Sequence, residues 1–153
     1  MAGDSSPTTT GANSARPPTP QGEYVAAKQF GEFAMSAGMT PRVDGTLIVT
    51  GIVGASVSIA QASHAAGIAT ENALAALSAE IGGEDRIADC LHMTVYVACE
   101  PDFTAHSQVA DGASVAIMHR LGAGFLPSRA AIGVSSLPGG SPVEVELTVA
   151  VRD

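Results

Sequence analysis

A short apolar run that opens with an arginine, and an alternating run after the next turn, predict a pair of β-strands near the C-terminus. The first covers residues 129–134, and the second reads Val-Glu-Val-Glu-Leu-Thr-Val from residue 143. Side chains along a strand point to opposite faces in turn. The valines therefore share one face, and Glu144 and Glu146 share the other. If the valines pack on helices, we expect Arg129 and Ala131 beside the glutamates, and a cation held near carboxylates indicates a small-molecule site.

Two helices and a central strand are predicted upstream of this pair. Residues 58–82 carry a mostly alanine stripe at steps of three and four, which is typical of a helix that packs closely; the stripe is Ala62, Ala66, Ala69, Ala73, Leu77 and Ile81. Residues 102–122 form the second predicted helix, with Asp102 as its N-cap and Gly122 as its stop. Between them, residues 87–98 alternate, with Leu91, Met93, Val95 and Val97 on one face and Cys90, His92, Thr94 and Tyr96 on the other.

The N-terminal part divides into a tail and the start of a domain. Residues 1–21 are rich in Ser, Thr, Pro, Gly and Ala and predict a disordered tail. Short strands are predicted within residues 24–33, 34–41 and 45–51, with turns at Gly38 and at Asp44-Gly45. The element order predicts an α+β domain over residues 22–153, in which two helices cover one face of a single mixed sheet. The uncovered face suggests a homo-oligomer with ligand sites in its subunit clefts.

Composition narrows the possible functions. A net charge of −8 and an aromatic content of 4% disfavour nucleic-acid binding. No apolar run is long enough to span a bilayer. Cys90 and Cys99 are too far apart on one strand to form a disulfide, so a cytoplasmic location is expected. The four histidines lack zinc-ligand spacing, and we predict neither a metal nor a cofactor.

Several motifs resemble the RidA (YjgF-type) family of enamine/imine deaminases. The resemblance covers nearly all of residues 22–153. Its most specific part is Pro127-Ser128-Arg129, followed by Leu137-Pro138 and by Val143-Glu144-Val145-Glu146. Asn72-Ala73-Leu74, Val95-Tyr96-Val97, Asp102-Phe103 and Gly22 with Tyr24 also resemble the family pattern.

This resemblance implies a chorismate-mutase-like fold that assembles as a homotrimer with ligand sites between subunits. The implied activity is hydrolysis of enamines and imines to 2-oxo acids and ammonia. The implied roles are carboxylate binding for Arg129, water activation for Glu144 and cleft lining for Tyr24. Further substrate-binding positions are Gly38, Met39, Ser107 and Ala131.

The chain departs from the family pattern at several of these positions. Ala131 stands where the family usually has cysteine, Ser107 stands for a cleft asparagine, and Ala37 and Met39 replace a serine and a glutamine. A non-catalytic protein that binds small carboxylate metabolites is therefore an alternative, as is simple ion pairing between Arg129 and a glutamate. A ribonuclease is a third possibility, which the acidic charge balance disfavours.

Overall fold

The computed structural model describes residues 16–153, which form an α+β layer. The strands are β1 (Ala27–Phe30), β2 (Phe33–Ser36), β3 (Arg42–Val43), β4 (Thr46–Leu47), β5 (Ile87–Ala98), β6 (Ser128–Val134) and β7 (Val143–Val151), and the helices are α1 (Ile59–Ile81) and α2 (His106–Leu121). Residues 1–15 of the predicted tail lie outside the described residues. Residues 16–21 carry no helix or strand.

Five strands form one mixed sheet in the order β1-β2-β7-β5-β6. β5 runs parallel to β6 and antiparallel to β7. β3 and β4 form a separate hairpin through the predicted turn at Asp44-Gly45, whose φ angles are 51° and 80°. Both helices pack on the same face of the five-stranded sheet, where the alternate apolar residues of β7 are buried. The predicted α+β architecture is thus confirmed.

α1 matches its prediction closely because both of its ends carry strong capping signals. The Ser58 side chain accepts a hydrogen bond from the Gln61 N–H, and the Gln61 side chain accepts one from the Ser58 N–H. This reciprocal pair is a capping box. Gly82 ends the helix with a left-handed φ of 91°. The whole predicted alanine stripe is buried in the core.

α2 starts four residues later than predicted. Ala105 occupies the N-cap position without a side-chain hydrogen bond, so the prediction that Asp102 caps the helix is wrong. Residues 100–103 instead form a turn, in which the Phe103 N–H donates to the Glu100 carbonyl. Farther along, α2 lies against α1 at Gly112, where an added Cβ would overlap the Ser63 carbonyl oxygen.

The alternation predicted for β5 holds only in its second half. Met93, Val95 and Val97 are fully buried, as predicted. The pairing with β7 shifts register between Cys90 and His92. An extra residue in one strand switches the preceding side chains to the opposite face of the sheet. Cys90 is therefore buried in the core, and Leu91 is exposed. The prediction for these two residues was therefore wrong.

β6 faces the opposite way from the prediction. Its parallel register pairs Arg129 with Met93 and Ala131 with Val95, and both partners point into the core. Directly paired residues on neighbouring strands share a face, so Arg129 and Ala131 lie on the helix side. Glu144 lies on the open side with its partner Tyr96.

The sequence pattern of β6 does not specify which face is buried, because β6 is an edge strand with small or apolar residues on both faces. Ile132, which alternation places opposite Arg129 and Ala131, is 43% exposed on the open side instead of buried in the core.

Candidate functional site

The predicted site residues form two clusters on opposite faces of the sheet. We call them the glutamate side, made of Gly38, Tyr96, Glu144 and Glu146, and the arginine side, made of Ser107, Asp111, Ser114 and Arg129. The first lies on the open face, and the second lies where the edge strand β6 meets α2.

On the glutamate side, the loop after β2 lies directly on the Glu144 carboxylate. An added Cβ at Gly38 would overlap Glu144 Oε1, so any larger residue there would require the carboxylate to move. Burial, followed by the negative charge of Glu146, raises the pKa of Glu144. A carboxyl group with a raised pKa holds its proton closer to neutral pH, which suits general acid and base chemistry.

Glu146 has a different environment from Glu144. The Tyr96 hydroxyl donates a hydrogen bond of 2.9 Å to Glu146 Oε1. This hydrogen bond, together with burial and the charges of both glutamates, raises the pKa of Tyr96. Glu146 thus accepts a hydrogen bond from Tyr96. Among the described residues, no side chain donates a hydrogen bond to the Glu144 carboxylate.

The loop that carries Gly38 is held by backbone and side-chain hydrogen bonds. The N–H groups of Met39 and Val145 each donate to the other's carbonyl oxygen, at 2.8 and 2.9 Å. Asn72 Nδ2 on α1 donates to the carbonyl oxygens of Thr40 and Arg42, at 3.1 and 3.0 Å. The motif Asn72-Ala73-Leu74 alone does not predict a site role for Asn72; the available signal is a polar residue next to the buried alanine stripe.

A narrow cleft borders this loop and brings together three of the predicted substrate-binding residues. Tyr24, Gly38 and Met39 line it together with Thr40 and Asn72, and its outer wall is formed by residues 18–21. The volume left in the cleft is about 30 Å³. Gly38 thus lines the cleft and contacts the Glu144 carboxylate, so the two features are adjacent.

On the arginine side, the guanidinium of Arg129 is bound by three groups of α2. Nη1 donates to Asp111 Oδ1 at 2.9 Å and to Ser114 Oγ at 2.8 Å, and Nη2 donates to Ser107 Oγ at 2.8 Å. The arginine side chain is 19% exposed, so the guanidinium remains accessible from solvent. The alternative in which Arg129 pairs with a glutamate of β7 does not hold within the chain, because its ionic partner is Asp111.

Sequence reasoning identified Ser107 but missed Asp111 and Ser114. These three residues are spaced by four and three positions, which places them on one face of a helix. This spacing was an available signal. Ala131 lies on the same face of β6 as Arg129, two residues further along the strand. The structure therefore brings Arg129, Ser107 and Ala131 to one edge, away from Tyr24, Gly38, Met39 and Glu144.

A cysteine and a histidine meet near the start of α2. Cys99 Sγ lies 3.5 Å from His106 Nε2, and an added Cβ at Gly133 would lie 2.5 Å from the same nitrogen. Burial raises the pKa of the Cys99 thiol. A raised pKa favours the protonated thiol over the reactive thiolate, so we assign Cys99 no catalytic role. Both cysteines of the chain are free.

A larger and shallower groove lies between the outer faces of α1 and α2. It is lined by His64, Glu71, Asp111 and His119, among others, and of the residues named above for the site it includes only Asp111. We place the candidate site at the smaller cleft, because that cleft borders the carboxylate with the raised pKa.

The described residues also bear on metal binding and membrane insertion. Within residues 16–153, no group of three or more His, Cys, Asp or Glu side chains is arranged to hold a metal ion. None of the helices in this described part is long and apolar enough to cross a membrane.

The chain is similar in sequence and fold to several known proteins. The chain is 31% identical over 135 residues to Protein TCP17 of Trypanosoma cruzi, covering 88% of this chain and 84% of that protein. Atu1372 of Agrobacterium tumefaciens, a protein of unknown function, is 32% identical with a TM-score of 0.83, covering 88% of this chain and 86% of that one. E. coli TdcF with bound serine is 20% identical with a TM-score of 0.63, covering 93% and 97%, which shows a shared fold.

A family model described as endoribonuclease L-PSP matches residues 14–151. The match covers most of the chain, including both sides of the candidate site. The chain therefore belongs to the endoribonuclease L-PSP family, the YjgF/RidA family.

Proposed function

We propose that this protein hydrolyses reactive enamines and imines to 2-oxo acids and ammonia, in a site shared by two copies of the chain within a homotrimer. The observation that carries the proposal is the separation of Arg129 and Glu144. The two side chains lie on opposite faces of the sheet, with Glu144 against Gly38 on one face and Arg129 bound to α2 on the other.

The separation requires a second copy because a small substrate cannot reach through the sheet. One copy offers Arg129 at an edge strand, and the other offers Glu144 and the cleft residues Tyr24, Gly38 and Met39 on an open face. That face also carries exposed apolar side chains at Phe33, Met35 and Ile132. Burying such a face against a neighbour is favourable, and a closed ring of copies would bring each arginine side toward a neighbouring glutamate side.

Each side has a distinct task in the reaction. The Arg129 guanidinium presents a planar fork of donors, which suits the substrate carboxylate. An enamine first takes a proton on its β-carbon and becomes an iminium ion. Glu144 removes a proton from water as the oxygen bonds to the iminium carbon, and the electrons of the carbon–nitrogen double bond move to nitrogen, which gives a carbinolamine. The protonated Glu144 then gives its proton to the nitrogen as the carbon–nitrogen bond breaks, and the hydroxyl loses its proton as the carbonyl forms, which releases ammonia and leaves a 2-oxo acid.

Related proteins support this ligand class. The E. coli TdcF structure contains bound serine, an amino acid whose carboxylate resembles that of the proposed substrates. The reaction needs no metal or cofactor, and we propose a cytoplasmic location, where such reactive intermediates arise.

A mixing experiment tests the shared site. Arg129→Ala and Glu144→Gln should each lower ammonia release from imines generated by an amino-acid oxidase, by about a hundredfold or more. If the site is shared, unfolding and refolding the two variants together should create interfaces that combine an intact Arg129 with an intact Glu144. Random assembly gives about a quarter of such interfaces, so activity should recover toward that fraction.

The controls separate assembly from chemistry. Each variant refolded alone should stay inactive, and its molar mass in solution should match that of the wild type. A monomeric wild type, or a complete lack of recovery in mixtures shown to be mixed by mass, would sink the shared site. A silent wild type across a series of amino-acid imines would sink the deaminase proposal.

A second candidate function rests on the hydrogen bonds of Arg129. Asp111, Ser107 and Ser114 hold the guanidinium in place before any ligand arrives, and they engage only Nη1 and Nη2. A cation fixed in this way can hold a ligand carboxylate whether or not a reaction follows. A non-catalytic protein that binds small carboxylate metabolites fits this arrangement. Calorimetry with pyruvate distinguishes the two functions, since binding by a wild type that releases no ammonia would favour the second.

A further inference from the structure

The cleft beside the glutamate side is covered by a segment of the same chain. Residues 17–21, which we call the proline segment, read Pro-Pro-Thr-Pro-Gln and precede the domain. Pro18 and Pro20 are half-buried and line the cleft together with Met39, while Pro17 is exposed and lies outside the cleft lining. The two half-buried prolines thus face the cleft, and Pro17 faces solvent.

The chain doubles back on itself to reach this position. The Tyr24 N–H donates to the Gly22 carbonyl at 2.9 Å, which makes a tight turn. An added Cβ at Gly22 would lie 3.2 Å from the Tyr24 ring, so glycine lets the backbone pass close to it. The Gln21 N–H then donates to the Tyr24 hydroxyl at 3.1 Å. Tyr24 therefore holds the segment while it lines the cleft.

The segment leaves little free space. The remaining cavity volume is about 30 Å³, about a tenth of the smallest volumes typical of small-molecule sites. The cleft therefore offers far less room than a ligand site usually has. Proline also restricts the unbound segment, because its ring fixes φ near −65° and so lowers the entropy lost on docking.

We propose that the cleft formed by Tyr24, Gly38, Met39 and Asn72 is a docking groove for a proline-rich strand, and that the chain's own proline segment occupies it in competition with the ligand. The docking is a property of these residues alone. Its effect on ligand binding rests on the proposed function, since it requires the cleft to be part of the ligand site.

A pair of proline variants tests the docking in the full-length protein. P18G/P20G removes both rings that face the cleft, while P17G removes an exposed ring and serves as the matched control. The methyl group of Met39 reports on the cleft, and it is one of five methionine methyl signals, which can be assigned with Met39→Leu. We expect the Met39 signal to move in P18G/P20G and to stay in place in P17G.

Ligand binding tests the competition. If the proline segment occupies the groove in most molecules, only the remaining molecules can bind a ligand, and the apparent affinity falls accordingly. We therefore expect P18G/P20G to bind pyruvate roughly threefold to tenfold more tightly than wild type. P17G should bind as wild type does. An unmoved Met39 signal in P18G/P20G overturns the docking, and equal pyruvate affinity in all three proteins overturns the competition. Failure of the deaminase proposal looks different, because ammonia release would be absent while the Met39 shift persisted.

Discussion

The arginine side and the glutamate side differ in how their charges are satisfied. Arg129 donates hydrogen bonds from Nη1 and Nη2 to Ser107, Asp111 and Ser114, all from one helix face. Glu144 is half-buried next to Gly38 and another carboxylate, so its charged form is disfavoured. The arginine side is therefore a preformed anchor, positioned before any ligand arrives. On the glutamate side, the raised pKa of Glu144 disfavours its charged form, and a shifted pKa of this kind suits a group that transfers protons.

The largest expected effect comes from separating the arginine side from the rest of the core. Gly112→Ala would push α2 away from α1, because the added Cβ meets the Ser63 backbone rather than a flexible side chain. We expect the free energy of unfolding to fall by about 2–3 kcal/mol, measured by urea titration. Ligand binding by Arg129 should weaken as well, because α2 holds its guanidinium, whereas the Tyr96–Glu146 hydrogen bond should persist.

Gly124→Ala is the matched control for this change. Gly124 lies just beyond α2, and an added Cβ there meets nothing within 4 Å. Its unfolding free energy should stay within about 0.5 kcal/mol of wild type. Equal stability of the two variants would contradict the close packing of the helices at Gly112.

A smaller effect should appear in the pH dependence of stability on the glutamate side. Because the raised pKa of Glu144 favours its protonated form in the folded state, this group stabilises the fold below its unfolded-state pKa. That stability is lost as the pH rises through the folded-state pKa. Glu144→Gln cannot ionise, so its melting temperature should gain on wild type between about pH 4 and pH 7.

Scanning calorimetry across this range measures the trend. Glu32→Gln, which changes an exposed glutamate in the turn between β1 and β2, controls for the loss of one negative charge. A constant offset between Glu144→Gln and wild type at every pH would contradict the buried, disfavoured charge.

The smallest effect on stability is expected from Asp111→Asn. The Asp111 side chain is 65% exposed, and exposed ion pairs contribute at most about 1 kcal/mol. Asparagine keeps a hydrogen-bond acceptor for Arg129 but removes the competing charge. We therefore expect nearly unchanged thermal stability and a severalfold tighter pyruvate complex by calorimetry, with Asp85→Asn as an exposed control. Weaker binding would instead assign Asp111 a supporting role in ligand binding.

The elements with strong local signals were predictable from the sequence. α1 has a capping box at one end, a left-handed glycine at the other and a continuous alanine stripe, so its bounds follow from local rules. From Val143 to Val149, β7 alternates valines or leucine with polar residues, and its buried face follows from period 2. The start of α2 was missed because Asp102 resembles a cap, although the backbone there forms a turn first.

The faces of β5 and β6 were not predictable in the same way. A bulge near Cys90 reversed part of β5, and nothing in the local sequence marks that insertion. β6 has apolar or small residues on both faces, so only its register with β5 decides that Arg129 points toward α2. Register is a long-range property, because it depends on how two distant segments align.

By itself, the sequence determined the α+β architecture and the helices, and it singled out Arg129 and Glu144 as candidate site residues, because periodicity, caps and short motifs act over a few neighbouring residues. Only the tertiary structure decided that Arg129 and Glu144 lie on opposite faces, and that residues 18–21 cover the cleft next to Gly38. These relations join segments that are far apart in the chain, and the packing of the whole domain sets them.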